Sequence, residues 1–308
     1  MRIAYFGTPE FALPALKTLH QSRHSVVGVV TAPDKPRGRG QREFPTPVAA
    51  LAESLKLPVR KPVSLKNQEF VSAIRTWQCD LFVVVAFRIL PEEVFTIPKW
   101  GTINLHASLL PQYRGAAPIQ WALFNGEKET GLTTFCIEKT VDTGNILKQR
   151  SVKIFDEDDA GSLSNRLANL GAELLLETLA ELEIGTLVPR RQADRLSTAA
   201  PKISKDHCKI DWNRSPEEIR NQMRAFSPEP GAFSILETQI VKFLSAAIYP
   251  NSQHFLTPGE ILITDNQIVV GAGSGNLQIH RLQLQGKKCL SSSEFLRGFR
   301  QRGRFKLR

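Results

Sequence analysis

The first half of the chain alternates short, almost wholly apolar runs with stretches whose apolar residues return at helical spacing. Arg2–Gly7 reads as a buried strand, and Phe11, Leu13, Leu16 and Leu19 then recur behind Pro9, a residue tolerated at a helix start. Residues 25–31 read as a second strand and 48–55 as another amphipathic helix. Further apolar strands are expected at 81–87 and 101–105. Strands this apolar need cover on both faces. The rhythm therefore predicts an α/β fold, a doubly wound and mainly parallel sheet with helices on either side.

The pattern changes in the second half. A stretch at 163–182 repeats Leu and Ala at helical spacing, and residues 185–200 are polar and irregular. From residue 204 onward, alternating runs at 231–236, 239–248, 259–264, 267–272 and 275–284 are separated by Gly, Pro, Asn and Asp. Such runs predict a small antiparallel barrel, with one helix at 216–226. The expected organisation is a domain at 1–189, a linker at 190–203 and a second domain at 204–308, which also suits a length of 308 residues.

Charge follows the same division. Residues 1–189 hold 21 Lys/Arg and 20 Asp/Glu, a net of +1, whereas 190–308 hold 19 and 10, a net of +9. The last twelve residues alone contain six Arg/Lys, with Phe299 and Phe305 among them. A basic domain beside a neutral one points to a polyanion, nucleic acid ahead of membrane. A basic surface kept for solubility is the plainer alternative. The longest apolar run, 81–87, is too short to cross a bilayer, and the opening residues show no basic-then-apolar leader. No membrane association is expected, and the expected compartment is the cytoplasm. Cys79, Cys136, Cys208 and Cys289 lie far apart and are expected as unlinked thiols.

Several motifs bear on chemistry. Gly7-Thr8-Pro9 stands where a nucleotide-binding fold shows its phosphate loop, but its single glycine excludes both the dinucleotide fingerprint and the P-loop. Asn104 and His106 lie two apart near the carboxyl end of an apolar strand, so both project to one face. Burying two polar side chains there is costly without a purpose. A lone histidine would fit a satisfied core position; the Asn-x-His pair, followed by a polar, Pro-rich stretch to Pro118, weighs toward function. Asp142 precedes Thr143-Gly144 and by itself suits a plain turn as well as a catalytic carboxylate. An amide, an imidazole and a carboxylate together suit attack of an amine on an acyl carbon. The first two can donate to the oxyanion that develops, and the third can orient the imidazole and help take a proton from the amine. No metal is required.

The string His106-Ala107-Ser108-Leu109-Leu110-Pro111, followed by Tyr113-Arg114-Gly115-Ala116-Ala117-Pro118 and by Asp142-Thr143-Gly144, resembles the signature of the folate-dependent formyltransferases. The resemblance implies 10-formyltetrahydrofolate as donor and Asn104, His106 and Asp142 as the catalytic centre. It places Ser108, Leu109, Leu110 and Pro111 beside the folate. Residues 81–87 with Arg88-Ile89-Leu90-Pro91 resemble the family's pterin pocket, which implies Phe87 and Ile89 as donor contacts. The family usually has Tyr-Gly where this chain has Phe87-Arg88, and the sequence offers no account of Arg88.

Residues 31–47 form a Gly/Pro-rich loop carrying Lys35, Arg37, Arg39 and Arg42. It resembles the insertion by which some family members grip the acceptor end of tRNA, with Gly38-Arg39-Gly40 as the matching core. Arg37, Arg39 and Arg42 are thereby implied as RNA contacts, a solvated loop being the alternative. Lys202-Ile203-Ser204-Lys205, Ile210-Asp211-Trp212 and Arg224-Ala225-Phe226-Ser227-Pro228 resemble the opening of the same members' second domain, an OB-like barrel. The implied acceptor is methionyl-initiator tRNA, formylated for translation initiation by a monomeric enzyme. A sugar nucleotide formylated from the same donor is the alternative, although it would gain nothing from the basic loop or tail.

Overall fold

The computed structural model describes residues 1–37, 42–250 and 256–308. They fall into two compact units: Met1–Pro118, Glu129–Lys153 and Ser164–Ala200 in the first, and Ile119–Lys128, Ile154–Leu163 and Pro201–Arg308 in the second.

In chain order, the first part runs β1 (Arg2–Gly7), α1 (Leu13–Gln21), β2 (Ser25–Val30), β3 (Lys35–Arg37), β4 (Arg42–Phe44), α2 (Pro47–Ser54), β5 (Val59–Arg60), α3 (Gln68–Arg75) and β6 (Leu81–Val85). There follow α4 (Glu92–Phe95), β7 (Thr102–His106), β8 (Arg114–Gly115), α5 (Pro118–Phe124), β9 (Glu129–Cys136), β10 (Ile146–Lys153), α6 (Ala160–Ile184) and β11 (Ala199–Ala200). The main sheet has the order β10-β9-β7-β6-β1-β2-β5. Five strands, from β5 to β7, are parallel; β9 runs against them, and β10, antiparallel to β9, runs with them again.

Apolar burial sets this arrangement. Ile3, Ala4, Tyr5 and Phe6 of β1 are fully buried, and every residue of β6 is buried. On one side of the sheet Phe6, Phe82 and Val84 share a cluster with Phe70 and Ile74 of α3. Asn67 starts α3 by accepting from the Glu69 backbone N–H at 2.8 Å. The chain leaves β1 toward β2 and β5 on one side and returns later to β6 and β7 on the other. The carboxyl ends of β1 and β6 thus frame the switch point where doubly wound sheets place ligands. Gly7 ends β1 there, and a Cβ on it would lie 2.9 Å from both Ala12 and Tyr5 atoms.

Two of the strand boundaries that differ from the sequence expectation have a backbone reason. β6 stops at Val85 because Ala86 takes a left-handed conformation with φ 48°. β7 begins at Thr102 because Gly101, at φ 74°, turns just before it, and the strand then runs on through His106. Residues 190–200, expected as linker, belong to the first unit, and β11 pairs in parallel with β8.

The second unit continues with α7 (Lys205–Cys208), α8 (Pro216–Phe226), β12 (Ala232–Leu236), β13 (Gln239–Ile248), β14 (Glu260–Ile263), β15 (Ile268–Ala272), β16 (Gly275–Leu284), β17 (Leu290–Ser291), α9 (Ser292–Gly298) and β18 (Gly303–Lys306). Its antiparallel sheet, β12-β13-β16-β15-β14-β18, curls on itself. Beyond β18, Leu307 bridges Leu236, and Arg308 and Ile235 exchange two backbone hydrogen bonds of 2.9 Å. Ser234 donates to the Arg308 carbonyl at 2.8 Å and accepts from the Trp212 indole at 3.1 Å. The end of the basic tail is thus the stave that closes the barrel, and Arg302 and Arg304 within it pair with Asp265 and Glu260. No helix among the described residues is long and apolar enough to cross a membrane.

Leu307 is buried at the closing seam. Leu307→Ala is expected to lower unfolding free energy by about 2–4 kcal/mol, read by urea denaturation. A loss well under 1 kcal/mol would mean that closure at this seam contributes little.

Candidate active site

The carboxyl end of β7 carries Asn104 and His106. Asn104 sits between Val84 of β6 and Phe135 of β9, and His106 lies opposite Thr133. Asn104 is half-buried, and its side-chain amide has no hydrogen-bond partner among the described residues. The His106 side chain is 7% exposed. Its Nε2 lies 2.9 Å from the Tyr113 carbonyl, which can only accept, so Nε2 carries the proton. In the neutral ring Nδ1 is then the bare nitrogen.

That nitrogen faces Asp142, with Oδ2 at 4.0 Å. The distance is that of an ion pair and exceeds hydrogen-bond reach. Asp142 was expected to orient the imidazole, whereas the bond that orients it comes from Tyr113. Asp142 itself has φ 55°, a left-handed conformation that Asp tolerates better than most residues. Its Oδ2 accepts from the Gly115 N–H at 2.8 Å, across 27 residues of chain. A carboxylate serving only its own turn would bond two or three residues on. This one reaches to the loop that also holds His106. Gly144 cannot be replaced: a Cβ there would overlap the Cys136 carbonyl.

The loop after β7 is built from within. Ser108, fully buried, donates to the Gln112 carbonyl at 2.6 Å. Thr133 donates to the Ser108 carbonyl at 2.6 Å and accepts from the Leu110 N–H at 3.1 Å. Gln149 donates to the Leu110 carbonyl at 2.8 Å and to Thr133 at 3.1 Å. Leu110 packs with Phe135 and Ile146. Ser108 and Leu110 therefore shape the loop, while Leu109 and Pro111 are half-buried and keep some surface. Thr133 and Gln149 carry no sequence signal of this work, because their partners lie on a neighbouring segment.

On the other side of the switch point, Phe87 meets Phe6 edge-on at 5.7 Å and Ile89 is 73% exposed. Arg88 has a structural account. Its guanidinium donates to the carbonyls of Val63 and Pro62 at 2.9 and 2.7 Å and lies 5.3 Å from the Phe87 ring centre. Arg88 ties the loop after β6 to the loop after β5. Burial pulls its guanidinium below the usual arginine range, and Nε is buried without a partner. The backbones of β3 and β4 place Arg37 opposite Arg42, whereas Gly38, Arg39 and Gly40 lie outside the described residues. No three His, Cys, Asp or Glu among the described residues are grouped to hold a metal.

The carboxyl end of β7 thus offers a free amide donor and an imidazole nitrogen opposed by a carboxylate. Those are the parts for stabilising an oxyanion and relaying a proton.

Comparison with known proteins bears on the family and the fold. A family model described as formyl transferase matches residues 1–179, and one for the formyl transferase C-terminal domain matches 202–300. A methionyl-tRNA formyltransferase of Geobacter sulfurreducens is 47% identical over 302 residues, covering 97% of this chain and 94% of the relative. Among solved structures, WlaRD, a sugar 3N-formyl transferase crystallised with dTDP and 5-N-formyl-THF, superposes with a TM-score of 0.68 at 18% identity, covering 94% of this chain and 99% of that one. HypX from Aquifex aeolicus in complex with tetrahydrofolic acid gives 0.68 at 21% identity; it covers 96% of this chain, which spans 47% of that longer protein. At these identities the two structures speak to the fold alone.

Thr133→Val removes the hydroxyl that satisfies Leu110 N–H and Ser108 C=O. It is expected to cost about 1–3 kcal/mol of stability and to speed hydrogen exchange at the Leu110 amide. Unchanged exchange at Leu110 would show that the hydroxyl does not hold the loop.

Proposed function

The chain belongs to the formyl transferase family, and on that premise we propose that it moves the formyl group of 10-formyltetrahydrofolate onto the amino group of methionyl-initiator tRNA, giving N-formylmethionyl-tRNA for translation initiation. The observation that carries this reading is the pairing of His106 Nδ1 with Asp142 Oδ2 across 4.0 Å, with Asn104 two residues before His106 on the same strand. Two polar atoms at that separation admit a third between them, within hydrogen-bond reach of both.

The reaction uses these groups in turn. The methionyl amine attacks the formyl carbon, and its new C–N bond turns the carbonyl oxygen into an oxyanion. The Asn104 amide donates to that oxygen, and His106, when protonated at Nδ1, donates as well. Asp142 holds the imidazolium and accepts the proton shed by the attacking nitrogen, directly or through the atom between them. The C–N10 bond of the folate then breaks, N10 takes up a proton, and the formyl group stays on the amine. Tyr113 keeps the ring from turning away throughout.

Leu109, Pro111, Phe87 and Ile89 supply apolar and aromatic surface for the donor's flat ring; Ser108 and Leu110 support that surface from beneath. Arg88 acts at one remove, by holding the 86–89 turn. The acceptor reading draws on the 47% identical relative and on the net +9 of residues 190–308, a charge suited to RNA phosphates and to a marked salt dependence. Arg37, Arg39 and Arg42 are assigned to the acceptor end of the tRNA. The enzyme works in the cytoplasm as a monomer and needs no metal.

His106→Ala should abolish formyl transfer, and Asn104→Ala should lower kcat roughly 10²–10³-fold. Filter binding of methionyl-tRNA to both variants should match the unaltered protein, and binding lost in step with rate would sink the assignment. Arg39→Ala should weaken use of methionyl-tRNA while donor binding stays unchanged. Free methionine formylated as fast as methionyl-tRNA would overturn the RNA reading.

A further inference from the structure

Residues 180–201 lie between the two family matches, which end at 179 and resume at 202. They contain a buried glutamine with every hydrogen-bonding position filled. Gln192 is 4% exposed. Its Nε2 donates to the carbonyls of Asp142 and Gly144 at 2.9 and 2.8 Å. Its Oε1 accepts from Arg114 Nε and Nη2 at 3.0 and 2.7 Å. Two amide hydrogens and two lone pairs are all that a glutamine has. The orientation is unambiguous, because the carbonyls only accept and the guanidinium only donates. Arg114 is in turn held by Asp194 at 2.7 Å.

The same segment grips the other half of the site. Thr198 accepts from the Tyr113 N–H through its hydroxyl at 2.8 Å, and its carbonyl accepts from the Arg114 N–H at 2.9 Å. Tyr113 bonds His106 and Gly115 bonds Asp142, so both members of the pair hang from loops that residues 192–200 strap down. Asp142 needs such a hold most. Its left-handed backbone, although Asp tolerates it better than most residues, still costs more than an extended one and is held here by the bonds to its carbonyl and carboxylate.

We infer that Gln192 is a positioning residue for formyl transfer: by clamping the Asp142 and Gly144 carbonyls it sets the separation between the Asp142 carboxylate and His106. The inference rests on the formyl-transfer reading above. It assigns the stretch between the two matched domains to the active site rather than to a tether.

The test is Gln192→Met, which keeps the length of the side chain and removes both donors. The kcat for methionyl-tRNA is expected to fall roughly 10–100-fold, with KM for donor and tRNA changed less than about twofold. In an Asp142→Ala background the same substitution should lower kcat by less than about twofold, because there is no carboxylate left to misplace. In the free protein the His106 ring-proton resonances should move in Gln192→Met in the same direction as in Asp142→Ala. Gln192→Glu retains a partner for Arg114 but presents oxygen to both carbonyls, so it keeps the segment folded and should show the same loss of kcat. A kcat loss undiminished in the Asp142→Ala background, full activity in Gln192→Glu, or unmoved His106 resonances would each overturn the inference. If the unaltered enzyme forms no N-formylmethionyl-tRNA, the functional reading falls instead, and the resonance comparison still decides whether Gln192 places the pair.

Discussion

The bond from His106 Nε2 to the Tyr113 carbonyl is the constraint around which the site is arranged. It commits one ring nitrogen to the protein and leaves the other facing Asp142. It also makes the imidazole depend on a loop rather than on its own strand. That loop must be rigid for the ring to be useful, and the structure meets the need with buried polar side chains. Thr133 and Gln149 hold its first half, and Thr198 holds its second. Each satisfies backbone groups of the loop, and those that Thr133 serves are buried, so loss of its hydroxyl leaves buried groups unpaired.

The cleft is positioned by the sheet's topology. Because β1 stands at the switch point, the loops after β1, β6 and β7 gather at one edge, and a ligand there meets groups from three separate stretches of chain. Arg88 shows how a departure from a familiar motif can be absorbed. The guanidinium that replaces an expected glycine reaches to the 62–63 backbone and restrains the turn from outside. In the second unit the charged tail does two tasks, since its final residues close the barrel while several of its cations stay on the surface.

Much of this was legible in the sequence. The five strands expected between 231 and 284 are β12 to β16 within a residue or so at most ends, because each is an alternating run bounded by Gly, Pro, Asn or Asp. The parallel sheet was legible from the rhythm of buried strands and helices. Asn104 and His106 could be picked out because two polar residues on one face of an apolar strand are anomalous locally. Asp142 could not be told from a turn residue on local grounds, since Asp-Thr-Gly satisfies turn chemistry as well. Its bond to Gly115, far away in sequence, is what distinguishes it.

What the sequence determined by itself was therefore whatever local pattern controls: strand and helix periods, the signs of charge, and the presence of an amide, an imidazole and a carboxylate. The tertiary structure decided which of these meet and what holds them. Only folding brings Gln192 to Asp142, Thr198 to Tyr113 and Leu307 to Leu236. The physical reason is common to all three. A polar segment such as 190–200 reads as linker when its neighbours in sequence are considered, because many of its hydrogen-bond partners are distant backbone groups, and a carbonyl has no residue-specific signature that a distant glutamine could announce.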